Sequence, residues 1–368
     1  MQGEFLKMKS MTSMKPERES GIELLRILAL FGVVVLHFNS AALPFTEPNS
    51  SSRLMLLSTE CIFICAVNLF MLISGYFMCT SQRRSIVKIL ELFVMLYAVK
   101  IGLTALSQFS SHTFNPKAYI SVPNNYFLIL YSTVYLISPY VNITLKKLNH
   151  RQLTIMMILL LSLFSIWNIG CDLLGEIRGE EFNGLTTIGM YGAQQGFTVV
   201  NFLLCYIVGA YLRITEIDKK ITTSKLFLLL LLCTGIIFLW SLFNERVQGI
   251  GLRSAWEYCN PFVILEAVLS FCLFKRLHFH SKWVNRIAKS SFMCFLFHQR
   301  LLNTIPYEMW VKKSTISLFL HGFCSILAIV IICWILYTVY HLITALLFAK
   351  LDEWTKKKNL YLDITIND

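Results

Sequence analysis

Apolar runs of about 17 residues or more recur along the whole chain, and that feature leaves few folds open. A run of roughly 20 apolar residues spans the hydrocarbon core of a bilayer as a helix. In lipid, only helices and closed barrels satisfy their own backbone. Ten runs separated by polar breaks cover 22–43, 56–79, 86–107, 125–143, 152–170, 197–213, 226–243, 258–274, 288–305 and 316–348. They predict an all-α, polytopic membrane helix bundle of about ten transmembrane helices. Charge content agrees: 15% of the 368 residues are charged, where a soluble domain averages about 25%. With no internal repeat or long linker, the chain divides into a polar tail (1–20), one membrane domain (21–349) and a C-terminal tail (350–368). The first run is too long for the core of a secretory signal and carries Arg26, so it reads as a retained helix.

The net charge of +12 could suggest a nucleic-acid partner, but its placement is topological. Of the 33 Lys and Arg residues, 23 fall on the side of the N terminus, seven on the other side and three within runs. Cytoplasmic loops carry such an excess, so both termini are expected in the cytoplasm and no nucleic acid is implied. The eleven cysteines lack zinc-site spacing and mostly sit inside apolar runs, where cysteine behaves as a small hydrophobe.

Ionisable groups inside spans are functional candidates because their insertion cost must be offset. In "GIELLRILALFGVVVLHFNSAAL" (21–43), Arg26 and His37 are eleven residues apart. At 100° per residue they return to within about 20° of one helix face, separated axially by about 16 Å. A cation near the cytoplasmic rim and an imidazole deeper in suit an acyl-coenzyme A thioester, with its phosphates on Arg26 and its pantetheine arm reaching inward. An imidazole with an unperturbed pKa of about 6.5 can take a proton from an attacking hydroxyl. The plainer alternative has Arg26 snorkelling to headgroups and His37 bonding a neighbouring helix. His298, about ten residues into its run, reaches a depth comparable to that of His37. Asn68 falls at mid-depth of its run, Ser74 and Gly75 permit close helix approach, and Glu91 is placed to pair with Arg26. Glu266 and Lys100 read as structural partners. The stretch 170–196 holds seven of the seventeen glycines with Asp172, Glu176, Glu180, Glu181 and Tyr191. It suits either contact with a sugar acceptor or a solvated connector.

These residues together resemble the acyltransferase type 3 family of integral membrane O-acyltransferases, and within it the bacterial surface-polysaccharide O-acetyltransferases. Arg26 and His37 match its first-helix Arg-x10-His element, and "LFMLISGYFM" its second-helix Ser-Gly-aromatic close. "NNYFLILYSTVYLISPYVN" matches a signature ending in Ser-Pro and Asn, here Ser138, Pro139 and Asn142. "NFLLCYIVGAYLRI" is similar to the sixth helix, and "NPFVILEAVLSFCLF" with "IAKSSFMCFLFHQ" to the late pair ending at His298. The likeness runs from about Ser20 to Tyr340. It departs at "RRSIVKILEL", where Arg83, Arg84 and Lys88 stand in place of an Arg-x-x-Arg element. It departs again at Asn68, where a carboxylate is common, so Asn68 can orient a partner but not act as a base.

The resemblance implies transfer of acetyl from cytoplasmic acetyl-CoA to a hydroxyl of a cell-surface polysaccharide or lipid-linked sugar, in the bacterial cytoplasmic (inner) membrane and without a metal. His37 and His298 would be the catalytic candidates. Arg26, Asn68, Ser74, Arg83, Arg84, Lys88 and Glu91 would surround the substrates. The competing class is a polytopic transporter or flippase of an envelope glycan precursor, using the same intramembrane charges without acyl transfer.

Overall fold

A computed structural model describes residues 19–123, 125–180, 182–248 and 253–363, and they form an all-α polytopic bundle. The main helices are α1 Ser20–Ala42, α2 Ser51–Phe63, α3 Ala66–Met78, α4 Ile86–Ser111, α5 Tyr126–Lys147 and α6 His150–Arg178. They continue with α7 Val199–Thr215, α8 Thr223–Gln248, α9 Pro261–Phe274, α10 Ser291–Leu302 and α11 Thr315–Lys357. Polar caps set several starts: Ser50, Asn125, Thr198, Asn260 and Ser314 each accept a backbone N–H from the first turn of the following helix.

Among the described residues, eight helical segments are long and apolar enough to cross a membrane, with α2 and α3 forming one of them. The sixth run forms α7 at its expected length of 17 residues, shifted by two positions, whereas the ninth is shorter than expected: it forms α10, of 12 residues, about 18 Å long at 1.5 Å per residue. The short helix Lys282–Ala288 precedes it, and α10 starts only after Ser290. The last helix is longer than its apolar run. It covers 43 residues and ends at Lys357, inside what the sequence marks as the C-terminal tail. Beyond it, β2 Leu362–Asp363 pairs antiparallel with β1 Arg83–Arg84, placing Arg83 opposite Asp363. Asp352 accepts hydrogen bonds from Ser85 Oγ at 2.7 Å and Tyr361 OH at 2.5 Å, which fastens this end of α11 to the start of α4.

The centre of the bundle is the crossing of α3 and α7. A Cβ on Gly75 would lie 1.9 Å from the Tyr206 carbonyl oxygen, and one on Gly209 would lie 2.0 Å from that of Leu72. The two backbones touch at a reciprocal pair of glycines, as small residues allow in membranes. Tyr206 and Phe202 are fully buried beside the crossing.

The Ser-Pro-Asn segment of α5 secures the C-terminal end of α3. Pro139 cannot donate to the Tyr135 carbonyl four residues back, and Ser138 Oγ supplies that bond at 2.7 Å. Ser138 Oγ in turn accepts from Arg84 Nε at 2.8 Å. Asn142 Nδ2 donates to the carbonyls of Met78 and Ser81, both at 2.8 Å, and its oxygen accepts from Tyr206 OH at 2.9 Å. Carbonyls left orphaned by the last turn of α3 are thereby satisfied.

Gly209→Ala therefore forces α3 and α7 apart, at a cost of about 1–3 kcal/mol. Its melting temperature in detergent should fall, whereas Gly102→Ala, with nothing within 4 Å of its new Cβ, should leave it unchanged or slightly raised.

Candidate active site

His37 lies in the last turns of α1, half-buried, and α10 packs across it. The imidazoles of His37 and His298 have centroids 4.9 Å apart and planes tilted by 45°. His298 is 1% exposed, and its Nδ1 lies 2.8 Å from the Cys294 carbonyl one turn back. A carbonyl can only accept, so His298 carries its proton on Nδ1 and, when neutral, presents a lone pair on Nε2. That Nε2 is buried and has no hydrogen-bond partner among the described residues. The amide of Gln299, next in the chain, lies 3.4 Å from His37 Nδ1. A Gln299 amide nitrogen donating to Nδ1 puts the neutral ring's proton on Nε2; with the amide turned so that its oxygen accepts from Nδ1–H, the Nε2 lone pair is free for a substrate.

His37 lines a cavity of about 320 Å³. Its aromatic walls are Tyr126, Phe197, Trp256, Tyr258 and Phe295, and its polar lining is His37, Ser40, Glu60 and Gln195. Ser40 is near the end of α1, Tyr126 begins α5, and Gln195, Phe197, Trp256 and Tyr258 come from the segments leading into α7 and α9. All lie at the end of the bundle opposite the basic loops. A concave site of mixed aromatic and polar lining is the usual form of a small-molecule site.

The 170–196 stretch takes part in this wall. Gln194, Gln195 and Gly196 have φ of 52°, 56° and 77°, a left-handed run that side chains disfavour. Gly196 is required there, since a Cβ would meet Cys259 N at 2.6 Å. The Gln195 carbonyl accepts from Tyr258 N at 3.0 Å, which ties the two wall segments together. A second cavity of about 870 Å³ shares Gln195 and is lined by Asp172, Glu176, Glu180 and Glu257. Asp172 accepts from Ala193 N at 3.1 Å and Glu176 from Ser254 N at 2.9 Å, so two of these carboxylates hold loop backbone in place.

Arg26 does not share the cavity of His37. It lies toward the basic end, where its Nη1 meets Glu23 Oε1 at 2.6 Å and its guanidinium sits 5.9 Å from the Phe77 ring. One chamber reached from the cell interior and lined by both side chains is therefore not what the fold builds. Helical phase puts them on one face, but about 16 Å of axial rise separates them, and Val33, Ile64, Val67 and Phe295 line the cavity. Arg26 also pairs with Glu23 rather than with Glu91, whose backbone carbonyl accepts from Tyr340 OH at 3.4 Å.

Several further positions serve the fold. Asn68 donates to the Tyr258 carbonyl at 2.7 Å and accepts from Asn201 at 3.1 Å, joining α3, α7 and the wall segment. Ser74 Oγ bonds back to Phe70 O at 2.8 Å. Arg84 is 3% exposed, and its donors go to Ser138, to the carbonyls of Ser81 and Arg83, and at 3.1 Å to that of Met78. Arg83 and Lys88 are exposed at the basic end, with the Lys88 ammonium 5.5 Å from the Tyr135 ring. Glu266 accepts from Thr234 Oγ1 at 2.5 Å, and Lys100 donates to the Tyr119 carbonyl at 3.4 Å. All eleven cysteines are free.

Glu60, Gln299 and the aromatic walls escaped the sequence reading. Glu60 carried a signal, being a carboxyl inside an apolar run, which is the same property that singled out His37. Gln299 and the wall residues carried none, because only the packing of α10 and the loops brings them to His37. Among the described residues, no group of three or more His, Cys, Asp or Glu side chains is placed to hold a metal ion.

No curated protein and no solved structure matches the chain. The family model described as an acyltransferase domain matches residues 19–338, a stretch that contains the whole His37–His298 cavity, and the chain belongs to the acyltransferase type 3 family of membrane acyltransferases.

Proposed function

We propose that this membrane acyltransferase is an O-acetyltransferase. Its donor would be acetyl-CoA at the basic, cytoplasmic end, and its acceptor a hydroxyl of a cell-surface polysaccharide or lipid-linked sugar at the opposite end. Its place would be a bacterial inner membrane. The observation that carries this reading is the imidazole of His37 on the wall of an aromatic and polar cavity, backed by the buried His298.

In this mechanism the acceptor hydroxyl donates a hydrogen bond to His37 Nε2. As its oxygen attacks the thioester carbonyl, Nε2 takes the proton, the new C–O bond forms and the C–S bond breaks. The imidazolium then returns the proton to the departing thiolate, so the products are an ester and free coenzyme A. His298, fixed by Cys294, flanks the ring, and the Gln299 amide, turned to present its oxygen, accepts from His37 Nδ1–H and so keeps the Nε2 lone pair available. The donor's arm must pass Val33 and Val67 to bring its thioester to His37. The exposed Arg83 and Lys88 supply attraction for the phosphates, while Arg26, already bound to Glu23, organises the rim.

Removing a general base costs about 10²–10⁴-fold in rate. His37→Ala should therefore insert normally yet lose O-acetylation, read as labelled acetyl passing from acetyl-CoA into an alkali-labile ester; full retention of label would refute the assignment. The basic cluster makes a separate prediction. The double change Arg83→Gln and Lys88→Gln should raise the KM for acetyl-CoA several-fold at low salt, with the difference shrinking at high ionic strength. Arg84→Leu should instead lower the melting temperature, because it strands buried carbonyls at about 1–3 kcal/mol each.

A further inference from the structure

Among the described residues, Glu60 is the one carboxyl on the wall of the His37 cavity, and no Lys or Arg lines that wall. Its side chain belongs to α2 and is nearly buried, the residue being 7% exposed. Oε2 accepts from Asn39 Nδ2 at 2.8 Å. Asn39 is 1% exposed, sits two residues after His37 on α1, and also donates to the Leu56 carbonyl at 3.2 Å. One oxygen of the carboxyl is thus fastened to the helix that carries His37. No described residue donates a hydrogen bond to the other oxygen or forms an ion pair with the group.

A buried polar group in a membrane needs a partner, and here the cavity is where one can come from. The mechanism above uses His37 and leaves Glu60 idle. A carboxyl that accepts a hydrogen bond, set among five aromatic rings and near an imidazole, suits a ring with several hydroxyls: apolar C–H faces against the aromatic walls and O–H groups toward the polar points. The same lining disfavours an anion. A carboxylate or phosphate on the acceptor would be buried in a wall with no cation except a protonated histidine. An uncompensated buried charge is costly whatever the protonation state of Glu60.

We propose that Glu60 reads the acceptor: its free oxygen takes the hydrogen bond of a second hydroxyl on the sugar ring whose first hydroxyl faces His37, so the acylated residue is an uncharged, polyhydroxylated sugar. The inference rests on the acyl-transfer reading and names its acceptor class. Glu60 is then a substrate-binding group, and it acts on acceptor affinity more than on the chemical step.

The test uses full-length protein in detergent, labelled acetyl-CoA, and unacetylated surface glycan from a host lacking the gene. The ester is located by mass spectrometry. It should lie on a neutral hexose or N-acetylated amino sugar. Losing that hydrogen bond should cost roughly three- to tenfold. Glu60→Leu should therefore raise the acceptor KM by that factor, with kcat within about threefold and the acetyl-CoA KM unchanged. Glu60→Gln keeps an accepting oxygen and the shape, so its rise should be smaller, and it carries the test if the leucine variant does not fold. Ester on a uronic acid, a sialic acid or a phosphate-bearing ring would overturn the proposal. So would an acceptor KM that both variants leave unchanged, or a loss confined to kcat. Absence of any His37-dependent ester would instead overturn the acyl-transfer reading, and this inference with it.

Discussion

The structure depends on one constraint: a polar group inside an apolar bundle must find a partner within reach, because lipid supplies none. Most of the motif residues answer to it. Arg84, Ser138 and Asn142 converge on the end of α3, where they satisfy carbonyls that the helix terminus and Pro139 leave open. Asn68 and Asn201 do the same between α3, α7 and the cavity wall. Once these are accounted for, polar groups at the cavity that lack a full set of partners among the described residues include His298 Nε2, Trp256 Nε1 and one oxygen of Glu60. Polar satisfaction thereby separates residues that hold the bundle from residues that face the cavity.

Much of the architecture was legible because lipid imposes strong rules. Apolar run length located the helices, and the Ser-Gly element marked a close helix approach, although not the helix that makes it. Run length misjudged α10 because it measures hydrophobicity, not where the chain turns: the helix begins after Ser290 and stops at Leu302, inside a run that extends from 288 to 305. Helical phase put Arg26 and His37 on one face, correctly for an isolated helix. It passed over Glu23, three residues before Arg26 in the same stretch and so a near neighbour on the helix surface, which holds the guanidinium. Nor could it know that the cavity takes in only the far end of α1. His298 was legible as a deep histidine, but its contact with His37 is a tertiary fact, created by α10 lying across α1.

The cavity's sidedness bears on how two substrates from opposite sides of a membrane would meet. Its walls come from loops at the end away from the basic residues, so the described conformation offers His37 to that side. Toward the basic end, the wall residues Val33, Ile64 and Val67 are uncharged and all three β-branched, next to a close helix contact: Gly32, beside Val33, has Phe63 within 2.8 Å of where a Cβ would lie. Such packing yields by displacement of helices rather than by rotation of one side chain. In an acyltransferase reading, a pantetheine arm is narrow enough to need only a small separation of α1 from α2 and α3, whereas passage of a whole sugar would need a large one. The reciprocal glycine crossing of α3 and α7 resists the larger motion by locking one side of the bundle. Within the acyltransferase reading, that asymmetry favours chemistry at a fixed histidine over transport of the glycan itself.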